Sequence, residues 1–415
     1  MPALARAEHD TALLCEADVP ADRARIRVPG KSPTWCASAM GLGPALDALR
    51  GWHPDVVYAH GDLGPELGTE IVGVAPAVFF AHNYYGTCIS GEKTNKWPIT
   101  NPCNRRFGWQ CLVHYYPHRC GGLNPLTMLS EYQRQTERQR LIRGYAMILT
   151  ASDHMRSEYV RHGFAPNAVR KVALPVEPVT TMPSSNGNGA HPIAGVGDGA
   201  TPAPPWRLLF AGRMTYLKGG LTFLDALPTV LATLGRPVRA TFAGDGPERA
   251  RWEAAANQLE ARNRGLEIEF TGWMNQAQLD ALFAASDLLV VPSLWPEPFG
   301  LVGLEAGLRS VPAAAFAVGG IPDWLAEGVN GYLAPGKSPT SGALANAIVK
   351  CLRDPVTHAR LRRGAAEVAR RFSVQQHMHE LLDVFAQVVA AGREPLRRRD
   401  DGGAVFHQME TRSGS

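Results

Sequence analysis

No apolar run in this 415-residue sequence reaches the ~18 residues a helix needs to cross a bilayer. Met1 to Asp10 lacks the apolar core of a secretory leader. Neither sign of charge is in excess: 42 Lys and Arg stand against 38 Asp and Glu, a net charge of +4. That balance calls for no nucleic acid, although it does not oppose an anionic substrate. Cysteine is scarce outside one segment. Cys15, Cys36 and Cys351 lie apart among apolar neighbours and read as buried thiols. These absences predict a cytoplasmic protein without a transmembrane segment, in contact with a membrane at most peripherally.

What is present is ordinary globular material, 45% hydrophobic and 19% charged, in a length that suits about two domains. In residues 1–178, strand-like runs such as Pro54–His60, Pro76–His82 and Tyr145–Ser152 alternate with helical patterns. Residues 179–205 are dominated by Gly, Ala, Pro, Ser and Asn without periodicity and read as a flexible linker. The alternation resumes over 206–372. Strands separated by helices imply parallel sheets in doubly wound domains. Ligands of such sheets lie outside the carboxyl ends of the strands. With two such domains, the cleft between them is the expected site. Residues 373–391 read as a final amphipathic helix, and 392–415 as a disordered tail, basic and then polar.

The densest signal is Pro292-Ser-Leu-Trp-Pro-Glu-Pro-Phe-Gly-Leu-Val-Gly-Leu-Glu305. It follows a buried-strand run, Asp287–Val291. Its prolines and glycine break that strand, and a helical pattern is expected from near Phe299. A strand, a tight loop and a helix start leave N–H groups free at a sheet edge, here those of Phe299, Gly300 and Leu301. Such groups attract phosphate. Glu297 lies in the loop and Glu305 about two helical turns on. Two acids beside an anion site make sense if they bind hydroxyls, and those of a sugar and a ribose fit. Trp206–Arg213 is another strand, ending in glycine and a cation, with Lys218-Gly-Gly in the loop that follows. Arg213 as a fork and Lys218 as a point charge can clamp a diphosphate from two directions. Ala240–Pro247, Ile268–Gly272 with Trp273, and Val318–Asp323 with Gly328–Leu333 repeat the pattern of strand and glycine-bearing turn.

This ordered set over residues 206–334 resembles the signature of retaining glycosyltransferases of family 4, the glycosyl transferases group 1. The resemblance implies an α/β architecture of the GT-B type. Two Rossmann-like domains face each other across a cleft, and the last helix packs back on the first domain. It implies transfer of a sugar from a nucleoside diphosphate sugar with retention at the anomeric carbon. The acceptor is left open among glycan, lipid and small molecule. It assigns Arg213 and Lys218 to the donor pyrophosphate, Gly272 and Trp273 to the nucleotide base, and Phe299, Gly300 and Leu301 to the leaving group. Glu297 is assigned to sugar hydroxyls, Glu305 to the ribose, and His82, at a strand end, to the neighbourhood of the donor sugar. His60 ends the adjoining strand. Asp245 reads as a turn residue. No catalytic metal is then required, because the cations stabilise the departing diphosphate.

Two rivals accompany this reading. Non-hydrolysing sugar-nucleotide epimerases share the architecture, but the Arg/Lys pair with Pro-Glu-Pro-Phe-Gly favours the transferase. A donor-binding pseudoenzyme is the other. The family starts with a strand and a glycine-rich loop near the donor phosphates. Here Met1–His9 reads as the end of a first helix and Asp10–Cys15 as the second strand. The first strand and its loop are therefore expected to be missing or to lie upstream.

Residues 86–125 stand apart and are expected to cap the acceptor side of the cleft. They hold Cys88, Cys103, Cys111 and Cys120 in the spacing C-x14-C-x7-C-x8-C, with His114 and His118 interleaved. This is no standard zinc-ribbon spacing. A structural zinc, an iron–sulfur cluster, disulfides and reduced thiols all remain open. A cap rich in polar residues has little core of its own, which favours a metal as its anchor.

Overall fold

A computed structural model describes residues 1–17, 28–30, 32–61, 63–177 and 204–393. The expected tail from 394 onward, and all of the expected linker except Pro204 and Pro205, lie outside the described residues. The helix Pro2–Arg6 leads into β1 (Leu13–Cys15), which pairs in parallel with β2 (Thr34–Cys36). Next come β3 (Val57–His60) and β4 (Ala77–Ala81), then a small antiparallel hairpin of β5 (Thr94–Asn95) and β6 (Asn101–Pro102). β7 (Met147–Thr150) and β8 (Val169–Lys171) complete a four-stranded parallel sheet in the order β3-β4-β7-β8. Among the described residues the β1–β2 pair shares no ladder with that sheet, so the N-terminal half carries its parallel strands in two pieces. All five residues of β4, Ala-Val-Phe-Phe-Ala, are buried. A strand covered on both faces needs such an unbroken apolar run.

The C-terminal half is one six-stranded parallel sheet: β9 (Trp206–Ala211), β10 (Val238–Ala243), β11 (Leu266–Gly272), β12 (Leu288–Val291), β13 (Ala313–Phe316) and β14 (Gly331–Ala334). Its strand order is β11-β10-β9-β12-β13-β14. The chain winds outward one way from β9 and then the other way from β12. The loops leaving these two neighbours diverge and open a crevice at their carboxyl ends.

The helix Val374–Arg393 leaves this half and lies on the other. Phe385 packs edge-on to Tyr58 with ring centroids 5.3 Å apart, Arg170 pairs with Asp383 at 2.7 Å, and the His377 Nδ1 lies 2.8 Å from the Ala173 carbonyl. One buried cluster joins Val78, Phe80 and Leu149 through Val384 and Val388 to the C-terminal core. Among the described residues, no helix is long and apolar enough to cross a membrane.

The helix expected from near Phe299 begins at Val302 and spans Val302–Leu308. Glu305 therefore lies in its first turn, and the chain from Glu297 to Leu301 is loop rather than helix. Pro296 and Pro298 have no amide donor to contribute to a helix. The loop carbonyls, moreover, are engaged elsewhere.

Candidate active site

The crevice is built by two strand-end loops. Gly219 turns the β9 loop into the helix Gly220–Leu234 with φ +72°, and a Cβ there would meet the Pro292 carbonyl oxygen at 1.9 Å. Only glycine allows that approach. The Leu294 amide then donates to the Leu217 carbonyl at 2.8 Å, locking the β9 and β12 loops together. As a result the Lys218 Nζ donates to Glu297 Oε1 at 2.6 Å, and Ser293 Oγ donates to the same oxygen at 2.5 Å. Glu297 is buried at 6% exposure, and the Lys218 ammonium also stands 5.5 Å from the centre of the Trp295 ring. Two residues read as serving different parts of one ligand thus meet directly. Ser293 has no motif of its own, and its only sequence signal was its place just past a strand end.

Four successive carbonyls fix the Pro296–Phe299 loop. Tyr84 Oη donates to Pro296 at 2.6 Å, the Gly320 amide to Glu297 at 2.7 Å, Ser152 Oγ to Pro298 at 2.6 Å, and Trp324 Nε1 to Phe299 at 2.7 Å. Gly319 permits this with φ +59°, since a Cβ there would lie 2.1 Å from the Glu297 carbonyl oxygen. Tyr84 and Ser152 belong to the N-terminal half, so that half holds the loop bearing Glu297. Burial pushes the Tyr84 phenol well above its ordinary range, which keeps it a neutral donor. Ser152 also caps the helix Asp153–Arg161 by accepting from the Met155 amide at 3.2 Å. The cap was legible as Ser-Asp-His before a helical pattern; its second partner, 146 residues away, was not.

The remaining expected residues lie at or beyond strand ends of the two larger parallel sheets. Arg213 is exposed just past β9 and, among the described residues, has no ion-pair partner. Gly272 ends β11, and its carbonyl accepts from the Gly244 amide at 2.9 Å. The next residue, Trp273, is 79% exposed. Glu305 is half-buried, and burial raises its carboxyl pKa, opposed by nearby Arg309. Asp245 is a turn residue: it accepts from the Gly246 amide at 2.6 Å and pairs with Arg249 at 3.1 Å. His60 ends β3 and His82 follows β4, and the two stand side by side with His60 Nδ1 2.9 Å from His82 Nε2. Both rings keep an exposed edge. Desolvation, with His82, His377 and the N-terminal amine adding to it, still pushes His60 down to about 3 and lowers His82. The pair is neutral at pH 7, one ring donating to the other.

The insertion over 86–125 is anchored by a buried ion pair. Lys93, 2% exposed, donates to the Thr87 carbonyl at 3.1 Å, to the Arg105 carbonyl at 2.6 Å, and to the Glu158 carboxylate. Glu158 is also paired with Arg161 at 2.9 Å. The neighbouring His162 accepts from the Phe107 amide at Nε2 (2.8 Å) and donates from Nδ1 to the Glu158 carbonyl (2.7 Å). All four cysteines of the insertion are free thiols. Cys88 Sγ accepts from the Lys93 amide at 3.3 Å. Cys120 is pushed up to about 12 by burial, with Cys88, Cys103 and Cys111 within electrostatic reach. Among the described residues, no three or more His, Cys, Asp or Glu side chains are grouped closely enough to hold a metal ion.

Residues 198–368 match the family described as glycosyl transferases group 1, and the crevice residues from Arg213 to Glu305 fall inside that span. The D-inositol 3-phosphate glycosyltransferase of Xylanimonas cellulosilytica is 36% identical over 194 residues, 46% of this chain and 44% of that protein. The 2-deoxystreptamine glucosyltransferase of Streptomyces kanamyceticus is 34% identical over 186 residues, 44% of this chain and 46% of that protein. The matched part thus spans about half the length of these curated relatives. Among solved structures, sucrose-phosphate synthase of Thermosynechococcus elongatus superposes with a TM-score of 0.63 at 19% identity, covering 94% of this chain and 91% of that one. Anabaena HepE in complex with UDP gives 0.59 at 18%, covering 91% and 100%. Such likeness is one of fold. The chain is an α/β protein of GT-B architecture, and its match to glycosyl transferases group 1 falls in the C-terminal half.

Proposed function

We propose that the protein is a retaining glycosyltransferase of family 4 that moves a hexosyl unit from a nucleoside diphosphate sugar to an acceptor. The observation that carries this reading is the 2.6 Å contact between Lys218 and Glu297 at the switch point of the C-terminal sheet. It joins a cation suited to a phosphate with an acid suited to sugar hydroxyls. The physical task is to stabilise a departing diphosphate while the sugar gains positive charge. Arg213, exposed and without an ion pair among the described residues, would take the diphosphate together with Lys218 and the N–H groups of Phe299, Gly300 and Leu301. Glu297, kept in place by Ser293 and by the tethered loop carbonyls, would hold the sugar. Glu305 would hold the ribose hydroxyls, and Gly272 and Trp273 would flank the base. Neutral His82 would offer the sugar a hydrogen bond rather than a charge. The cations carry the electrostatic work, so this route asks for no catalytic metal. Two relatives whose names denote glycosyl transfer, and a structural neighbour solved with UDP, support the class of donor.

The test is incubation with uridine, guanosine and adenosine diphosphate sugars and a panel of acceptors. Products are read by mass spectrometry, and the anomeric configuration by NMR. The expected result is one preferred donor whose turnover falls in Arg213→Ala. Inverted product would remove the retaining assignment. Donor turnover equal in wild type and Arg213→Ala would remove the site.

A further inference from the structure

We propose that the insertion over residues 86–125, with the start of the helix that follows it, is a docking surface for an anionic lipid bilayer. Most of the large apolar side chains exposed among the described residues crowd into this short segment. Trp97 and Ile99 project from the β5–β6 hairpin, and Trp109 and Val113 lie one helical turn apart on the helix Gln110–His114 and its start. Leu123 and Leu126 flank the start of the helix Pro125–Ile142 and are 86% and 74% exposed. They sit in a run, Gly121–Thr127, in which every residue is exposed. Residues 86–130 have Glu92 as their one acid against Lys93, Lys96, Arg105, Arg106 and Arg119. Lys93 is spent inside on Glu158 and Lys96 pairs with Glu92 at 2.5 Å, while Arg106 and Arg119 stay exposed, the Arg119 guanidinium over the Trp97 ring at 4.7 Å from its centre.

This combination selects its partner. Trp and aliphatic tips beside an excess of cations, the one acid being paired with Lys96, match the interfacial zone of a membrane with anionic headgroups. The tips protrude from three separate pieces of backbone, a hairpin, a short helix and a turn. A bilayer accepts separate wedges without shape complementarity, whereas a protein partner would have to fit each of them. The surface also adjoins the crevice. Thr100 at the hairpin and Tyr216 share a hydrogen bond of 2.7 Å, and Tyr216 opens the turn that ends at Lys218. A bilayer against the insertion would therefore lie beside the candidate active site, within reach of a membrane-resident acceptor. The docking itself does not depend on the transferase reading, and its test measures no turnover.

The experiment is co-sedimentation of the full chain with phosphatidylcholine vesicles, with and without phosphatidylglycerol. Binding is expected only with phosphatidylglycerol and should weaken as salt screens the cations. Removing the two exposed leucines, in Leu123→Ser/Leu126→Ser, should lower vesicle affinity by about tenfold or more. Trp97→Ser/Ile99→Ser should act in the same direction. Val356→Ser, 76% exposed on the other half, should bind as wild type does. Melting temperatures identify any variant that loses its fold, and the two double variants report independently. Absence of binding, equal binding to both vesicles, or full binding by both double variants would overturn the proposal. So would a wild-type dimer in sedimentation velocity that Leu123→Ser/Leu126→Ser dissolves, since the tips would then cover a second copy of the chain.

Discussion

The two halves of this protein share one architecture and use it differently. In the C-terminal half six parallel strands form one unbroken ladder; Gly272 ends one of its strands, Arg213, Lys218 and Glu297 lie in the loops after two others, and Glu305 lies in the first turn of the helix beyond. In the N-terminal half the described parallel strands fall into sheets of two and four, and a polar insertion is held on by a buried charge pair. Besides His82 and the Thr100–Tyr216 bond, that half sends single side chains to distant backbone, Tyr84 to Pro296 and Ser152 to Pro298. A rigid sheet edge can carry groups for the chemistry on short local loops. The opposing half then needs only to position those loops and to present a surface. If this division holds, variants in the C-terminal half should remove turnover, and variants in the N-terminal half should change stability or fine position.

The largest effect is expected at the point where the β9 and β12 loops meet. Lys218→Ala and Glu297→Ala should each reduce turnover by about 10²–10³, as loss of one preorganised transition-state partner typically does. Both lie on loops, so circular dichroism should remain native. Near-wild-type turnover in either would abolish the contrast between the halves.

Lys93→Met probes the other half by stability. Removing one member of a buried pair strands the other, at a cost of roughly 3–5 kcal/mol. Arg161 still faces Glu158 at 2.9 Å, which places the expected loss at the lower end. Urea unfolding measures it, and a change too small to resolve would show that the insertion is anchored elsewhere.

A related loss should appear on acidification. Burial, with Lys93 next in weight, lowers the His162 pKa from 6.5 to about 4. The folded state therefore favours the neutral ring, whose Nε2 accepts from the Phe107 amide. Its contribution is complete above the unfolded pKa of 6.5 and disappears as pH falls towards 4, up to about 3 kcal/mol in all. His162→Gln, which keeps an acceptor but cannot titrate, should make thermal stability fall less steeply over that window, with His60 and His154 keeping the remaining slope. An unchanged slope would count against His162 as the sensor.

The smallest effect sharpens the comparison most. Tyr84→Phe leaves the Pro296 carbonyl without its buried donor, at about 1–3 kcal/mol. If part of that cost displaces Glu297, kcat should fall about tenfold per 1.4 kcal/mol while donor affinity stays nearly constant. Equal losses in kcat and donor affinity would make Tyr84 a general stabiliser rather than a positioning residue.

The sequence by itself determined the alternation of strands and helices, the placing of Arg213, Lys218, Gly272 and Glu297 at strand ends, and the turn at Asp245. These follow from short-range rules: apolar runs where a strand is covered on both faces, and glycine where backbones touch. Tertiary structure alone decided that the helix after the Pro-Glu-Pro loop starts at Val302, because partners far along the chain claim the carbonyls of Pro296 to Phe299. It also decided that Lys218 meets Glu297, and that Lys93 is the charge buried beneath a cap whose sequence drew attention to its cysteines. Such pairings span tens to hundreds of residues and depend on which loop the packed sheets bring to which side chain. No local pattern encodes that.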